Sequence, residues 1–162
     1  MSEQKKERKC MLAVRIRGTI SASREARETL RMLNLTRNNH AILFDDRPSF
    51  LGMIDTVRDY VTYGELSKES VASLLREKGR LAGDKRLTDE YAQKVGHKSL
   101  KELTAAIAAC RVEYWKLPSI QPVFRLHPPT KGFRGKTKKS YGAGGEAGYR
   151  GEAINELIKR MV

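Results

Sequence analysis

The sequence predicts an α+β protein whose first half follows the order β-α-β-α-β. Short apolar runs predict the strands, and the segments between them have the helical spacing of apolar side chains that predicts helices. This β-α-β-α-β unit spans about fifty-five residues. Consecutive strands joined through one helix each imply a small sheet with both helices on one face. The rest of the 162-residue chain predicts a helical middle segment and a basic carboxyl-terminal extension.

The first strand and helix have clear local signals. Residues 11–17 are apolar at first and then alternate with arginine, which predicts a strand that Gly18 ends. Ser21 or Ser23 caps a helix that runs to about Leu33. The buried stripe of that helix consists of three apolar residues at i, i+4 and i+7: Ala26, Leu30 and Leu33.

The next elements complete the unit. The apolar run at residues 41–44 predicts a buried strand, and Pro48 starts a turn after it. Ser49 caps a helix of about residues 50–60, and residues 61–66 form the third strand. The apolar residues on one face of this second helix are Phe50, Ile54 and Val57.

The second half divides into helices and an extension. Three helices are predicted after the caps Ser67, Thr88 and Ser99, and residues 123–127 alternate as an edge strand does. A last helix of about residues 152–161 carries apolar residues on one face and is expected to dock on the core. We therefore divide the chain into a core at 1–66, a helical insertion at 67–113 and a basic extension with the last helix at 114–162.

The charge predicts a polyanionic partner. Thirty-two Lys and Arg oppose nineteen Asp and Glu, so the net charge is +13 and the pI is about 10.0. Nucleic acid and an anionic membrane surface both fit this charge. A membrane-surface helix needs a free apolar face, whereas the apolar stripes here are needed for a core. The start MSEQKKERKC lacks an apolar segment, so we expect no secretory signal and a cytoplasmic location. Cys10 and Cys110 are interpreted as small hydrophobic residues.

Two basic regions are candidates for contacts with phosphates. Arg24, Arg27 and Arg31 share one helix face at i, i+3 and i+7, beside Glu25 and Glu28. Such a row either faces an anion or is an ordinary solvated helix face.

The second region is residues 127–145, HPPTKGFRGKTKKSYGAGG, with five glycines, five basic residues and no acid. We expect residues 128–145 to lack regular pairing and to become ordered only against RNA, the alternative being a flexible linker. Aromatic side chains available for stacking there and just beyond are Phe133, Tyr141 and Tyr149.

Motifs that suggest catalysis are incomplete. Residues 135–137 read GKT, but a phosphate-binding loop requires glycine where Thr130 stands, and no apolar strand precedes it. The histidines are scattered along the sequence, so they do not indicate a metal site. Asp45 and Asp46 are adjacent, so they do not indicate general acid-base catalysis by a pair of carboxylates. We expect no catalysis, no nucleotide binding and no cofactor. The alternative function is a small RNA-associated enzyme, an NTPase or modifying enzyme, with a degenerate phosphate loop.

Residues 31–66, RMLNLTRNNHAILFDDRPSFLGMIDTVRDYVTYGEL, resemble the large-subunit ribosomal protein family numbered thirty in bacteria and seven in eukaryotes. The carboxyl-terminal FRLHPPTKGFRG and GGEAGYRGEAINELIKRM resemble the archaeal and eukaryotic members. Bacterial members correspond to about residues 11–66, and the chain lacks the long basic amino-terminal arm of eukaryotic members, so it resembles the archaeal type. Many bacterial members have arginine where this chain has Leu51.

The resemblance implies a function and a fold. It implies a structural protein of the large ribosomal subunit, with rRNA and neighbouring ribosomal proteins as partners. It also implies a three-stranded antiparallel sheet with two helices packed on it, related to ferredoxin-like folds. The residues expected to bind RNA are Arg15, Arg17, Arg24, Arg27, Arg31, Arg37, Asn39, His40, Arg47, Lys131, Arg134, Lys136, Lys138 and Lys139.

Overall fold

The structure is a computed structural model that describes residues 7–162. The opening residues 1–6, which belong to the predicted core segment and to the stretch in which we expected no secretory signal, lie outside the described residues. The strands are β1 Cys10–Arg15, β2 His40–Asp45, β3 Val61–Glu65, β4 Val123–Arg125, β5 Lys136–Ser140 and β6 Gly145–Tyr149. The helices are α1 Arg24–Met32, α2 Pro48–Thr56, α3 Lys68–Lys78, α4 Asp89–Lys94, α5 Leu100–Ala108 and α6 Ile154–Met161.

Across the described residues, the strands form one sheet in the order β4-β2-β1-β3-β6-β5. Its centre is the predicted antiparallel core, because β1 pairs antiparallel with both β2 and β3. The sheet is larger than expected. β4 joins β2 as the predicted antiparallel edge strand, while β6 runs parallel to β3 and β5 runs parallel to β6. The α+β class and the central unit are confirmed, and the sheet has three more strands than the resemblance implied.

The centre of the sheet is buried on both faces. Met11 and Ala13 of β1 pack with α1 and α2, whereas Leu12 and Val14 pack with α3, α5 and α6 on the other side. The alternation of a strand explains this, since successive side chains point to opposite faces. The two early helices therefore share one face as predicted, and the last helix docks on the core through Ile154, Leu157, Ile158 and Met161.

Local capping signals place most helix starts correctly. The Ser23 hydroxyl accepts a hydrogen bond from the Ala26 amide at 3.2 Å, and the Ser67 hydroxyl accepts one from the Ser70 amide at the same distance. Ser49 was wrong as a cap, because α2 starts at Pro48 and Arg47 occupies the cap position. Proline favours the first helical position, since its missing N–H has no partner there anyway and its φ suits a helix.

The expectation that residues 128–145 lack regular pairing is wrong. Lys136 pairs with Gly145 and Ser140 pairs with Ala147, with an irregularity between them. A Cβ at Gly145 would lie 2.1 Å from the Lys139 carbonyl oxygen, and one at Gly135 would lie 2.6 Å from the Gly144 oxygen. Glycine is needed here because the backbones approach so closely.

The two cysteines, which are a hundred positions apart in the sequence, are neighbours in the fold. Both line a small cavity with Ile107 and Tyr114, and both are free thiols. The hydrogen bond from Cys10 lowers the pKa of the Cys110 thiol, whereas the same contact and burial raise the pKa of Cys10. Cys10 is buried and Cys110 is partly exposed.

We expect iodoacetamide to modify Cys110 well before Cys10 in the folded protein. A thiol with a lowered pKa forms its reactive thiolate at lower pH, so the Cys110 rate should rise at a lower pH than that of an ordinary thiol. Mass spectrometry of the two cysteine-containing peptides over a pH series measures both rates. Equal rates for the two thiols in the native protein would contradict the buried position of Cys10.

Candidate RNA-binding surface

One end of the sheet collects basic residues, because the strand ends that carry them meet there. Arg15 at the end of β1 is opposite Val61 at the start of β3, and His40 at the start of β2 is opposite Arg125 at the end of β4. The parallel strands β5 and β6 start at the same end. We call this region the basic end and define it by Arg17, Arg37, Asn39, His40, Arg125, Arg134 and Lys136.

The opposite end of the sheet is acidic. There β2 ends at Asp45, followed by Asp46, and β3 ends at Glu65. Two cations near this end pair with these acids: Arg8 lies 3.3 Å and Arg47 lies 2.7 Å from the Asp45 carboxylate. The exposed cations of the basic end would attract a polyanion.

Arg15 lies at the basic end but is buried, with 7 % of its surface exposed. Its guanidinium donates to the carbonyl oxygens of Leu35 and Arg17, both at 3.0 Å, and to the Thr19 hydroxyl at 3.1 Å. Burial lowers its pKa. These bonds use its donors inside the protein and hold the two loops that carry Arg17 and Arg37. Arg15 therefore shapes this surface from within the protein.

Arg47 is also engaged within the protein, at the acidic end. Its guanidinium bonds Asp45 at 2.7 Å and also pairs with Glu113. The hydrogen bonds to Asp45 and then to Glu113 raise its pKa. The cation also lies 5.6 Å from the ring centres of both Phe50 and Trp115. Its place at the far end of the sheet separates it from the other expected RNA ligands.

Asn39 and His40 form a turn whose backbone is fixed. Asn39 has φ of 64°, a left-handed conformation that asparagine tolerates, and its amide donates to the Arg15 oxygen at 2.7 Å. The Nδ1 atom of His40 is buried and has no hydrogen-bond partner among the described residues. Burial, and then the charges of Arg125 and Arg37, lower the pKa of His40. Because Nδ1 is buried, the ring can present only its other nitrogen, Nε2, to RNA.

The arginine row on α1 is exposed along its length. Arg24, Arg27 and Arg31 all face solvent, while Ala26 and Leu30 are buried against the sheet. Within the row, Arg24 pairs with Glu28 at 2.9 Å. An exposed pair of this kind contributes little to stability and is screened by salt, so it does not prevent a phosphate contact.

The extension presents its cations on an edge strand. Lys136, Lys138 and Lys139 are exposed on β5, and Lys131 precedes them in a turn with φ of 66°. Arg134 forms an exposed ion pair with Glu156 of α6 at 2.8 Å. Lysines on an edge strand also discourage pairing with another chain, which is a second role compatible with these positions.

We expect the amides of residues 128–145, of which only the β5 edge strand and Gly145 are paired in the sheet, to exchange faster than those of β1 in the isolated protein and to slow when RNA is bound. Of these residues only Pro129 and Gly145 are buried. Fixing each backbone residue costs about 1–2 kcal/mol, which so little burial does not offset. Hydrogen exchange of free and assembled protein measures this, with the amides of β1 as the protected reference. Protection equal to that of β1 in the free protein would show that the segment is fixed by its own contacts.

Sequence reasoning missed some basic side chains of this surface. Arg125 is exposed at the basic end, with only a long 3.7 Å contact to the exposed Asp84. It sits in the alternating run VFRLH, where alternation could have marked it as the outward residue. Arg150 and Arg160 line a cleft beside β6, and no local pattern distinguishes them from ordinary surface arginines. Residues 135–137 lead into strand β5, whereas a phosphate-binding loop leads into a helix. They therefore do not form a phosphate-binding loop.

No helix among the described residues is long and apolar enough to cross a membrane. Nor do those residues bring together three or more His, Cys, Asp or Glu side chains that could hold a metal ion.

Comparison with known proteins matches this fold to one family. A family model described as ribosomal protein L30p/L7e matches residues 11–61. A protein of Methanopyrus kandleri named large ribosomal subunit protein uL30 is 44 % identical over 149 residues, covering 91 % of this chain and 100 % of that relative. Proteins of the same name from Archaeoglobus fulgidus and Hyperthermus butylicus are also 44 % identical, and cover 91 % and 99 % of this chain and 97 % and 94 % of their own lengths. The chain therefore belongs to the ribosomal protein L30p/L7e family, as an archaeal-type member.

Proposed function

We propose that this chain is a structural constituent of the large ribosomal subunit in the cytoplasm and binds rRNA through the basic end of its sheet. The observation that carries the proposal is that strand ends bring Arg17, Arg37, Arg125 and Lys136 together at one end, while acids occupy the other. Among residues 7–162, the ion pairs of these exposed cations are few and exposed, such as Arg125 with Asp84 and Arg134 with Glu156. Family membership agrees with a structural role and with the expectation that the chain is not an enzyme.

The rigidity of the sheet explains how the basic end binds RNA. Arg15 and the paired strands hold the loops at the basic end in fixed positions, so the exposed arginines do not lose much further freedom on binding. Each phosphate contact releases condensed counterions, which drives association and reduces repulsion between adjacent RNA segments. Arg24, Arg27 and Arg31 extend this surface along α1, and the extension adds further cations. Neighbouring ribosomal proteins then pack against the assembled particle.

Each of the three segments has its own role in this proposal. Residues 1–66 provide the rRNA-binding core, residues 67–113 support its sheet through α3 and α5, and residues 114–162 close the sheet and carry the second basic region. Arg15 and Arg47 serve the fold in this scheme. The enzyme alternative has no support from this geometry, since Lys136 lies within a strand.

Sedimentation of a cell lysate tests the proposal. The chain should sediment with large subunits and stay bound through a moderate salt wash. Changing Arg37 and Arg125 to glutamine should release it at lower salt, because two phosphate contacts are lost. The control changes Arg76 and Lys101, exposed on α3 and α5, and removes the same charge elsewhere. A chain absent from large subunits, or equal effects of both double variants, would contradict the proposal.

A further inference from the structure

A cleft of about 420 Å³ lies beside the basic end, between β6, the turn at residues 141–144 and helix α6. Its volume falls within the range of about 300–1,000 Å³ typical of small-ligand sites. Its lining combines the ring of Tyr141 with the side chains of Arg134, Arg150, Arg160 and Leu157. This lining offers one aromatic face for stacking, several hydrogen-bond donors and a short apolar wall.

The Tyr141 ring is held at the cleft by a buried cation. The Arg150 guanidinium lies 5.0 Å from the ring centre. Arg150 itself is fixed, since it donates to the Thr62 hydroxyl at 2.6 Å, to the Glu146 carbonyl oxygen at 2.8 Å and to the Glu146 carboxylate. Nevertheless, 42 % of Tyr141 is exposed. The protein therefore orients this ring without burying it, which suits a platform on which another ring stacks.

Two further arginines offer donors to an anion. The Nε atom of Arg160 is buried with no hydrogen-bond partner among the described residues, while its Nη2 donates to the Gly132 oxygen at 2.6 Å. A buried donor without a partner is uncommon and calls for a ligand or water. Arg134 pairs only with the exposed Glu156, and a phosphate can replace such a pair. Glu146, the other acid of the cleft, is already bonded to Arg150 and to the Gly135 amide at 2.9 Å.

We propose that this cleft receives one unstacked nucleotide of the rRNA, with its base against Tyr141 and its phosphate on Arg134 and Arg160. The inference rests on the proposed function and specifies a site within it. Stacking on an aromatic ring suits any base, because every base has a π-face. Arginine forks match phosphate oxygens in geometry and charge. The cleft opens next to Lys136 of the basic end, so a strand bound there can place one nucleotide in it.

Binding of protein-free large-subunit rRNA by purified full-length variants tests the site. Tyr141→Ala should weaken binding on the order of 10-fold with an unchanged salt slope, because it removes stacking and no charge. Tyr141→Phe keeps the ring and should bind as the unchanged protein does. Arg160→Lys keeps the charge but loses the buried donor and should weaken binding several-fold.

Ultraviolet cross-linking of assembled large subunits gives the second measurement. We expect a nucleotide adduct on the peptide that contains Tyr141, and its loss in Tyr141→Ala particles. Saturable micromolar binding of free AMP or UMP by the isolated protein, with RNA affinity unaffected by Tyr141→Ala, would overturn the proposal in favour of a soluble ligand. Unchanged RNA affinity of Tyr141→Ala with cross-links only elsewhere would overturn the cleft assignment. Failure of the unchanged protein to bind rRNA would instead refute the proposed function.

Discussion

Replacing Arg150 by methionine is expected to lower the free energy of unfolding by about 3–5 kcal/mol. The Arg150 side chain pairs with Glu146, and both side chains are almost wholly buried, at 5 % and 7 % exposure. Removing the cation leaves the Glu146 carboxylate in the interior without its main partner. It also frees the Thr62 hydroxyl and the Glu146 carbonyl oxygen, which Arg150 now binds. Urea unfolding, read as a change in midpoint at constant slope, measures the loss.

A double-mutant cycle checks the cause. Arg150→Met combined with Glu146→Gln should recover part of the stability, because the buried charge is gone. Arg24→Met is the control, since it breaks an exposed arginine–glutamate pair and should cost only a few tenths of a kcal/mol. If Arg150→Met and Arg24→Met lower stability equally, the buried pair does not hold β6 to β3.

Changing Arg24, Arg27 and Arg31 together to glutamine is expected to weaken rRNA binding on the order of 100-fold at about 0.1 M salt. Each lost phosphate contact should make the salt slope shallower by roughly 0.7–0.9, so three should change it by roughly 2–3. The free energy of unfolding should hardly change, because all three side chains face solvent and the buried side of α1 is untouched. A salt series of binding constants and one unfolding curve measure both effects.

The control for this variant removes the same charge from the other face of the sheet. Arg76, Lys94 and Lys101 are exposed on α3, α4 and α5, which pack opposite α1. Their combined change to glutamine should leave the salt slope almost unchanged. A large loss of stability in the α1 variant with an unchanged slope would mean that the arginine row serves folding rather than RNA.

The candidate surface was predictable in part from sequence. The spacing of Arg24, Arg27 and Arg31 on one helix face follows from 3.6 residues per turn, and all three are exposed as that pattern requires. The burial of Arg15 was not predictable, because the alternating pattern of its strand indicates only which face of the sheet its side chain occupies. Whether a loop covers that face depends on Leu35, which lies beyond α1 in the sequence and contacts Arg15 only after folding.

The sequence by itself determined the central unit and most of the helices. Periodicity identified the strands β1 to β4 and the helices, serine caps marked most helix starts, and the β-α-β-α-β order with both helices on one face followed from them. These features depend on neighbouring residues, so a local pattern records them. Only the tertiary structure decided that β6 lies beside β3, that Cys10 meets Cys110, and that the glycines near residue 145 permit close pairing. Each of these contacts forms only when the chain collapses, because it depends on two backbones approaching closely or on two side chains being buried together. The periodicity of side chains along the chain does not indicate which surfaces will then meet.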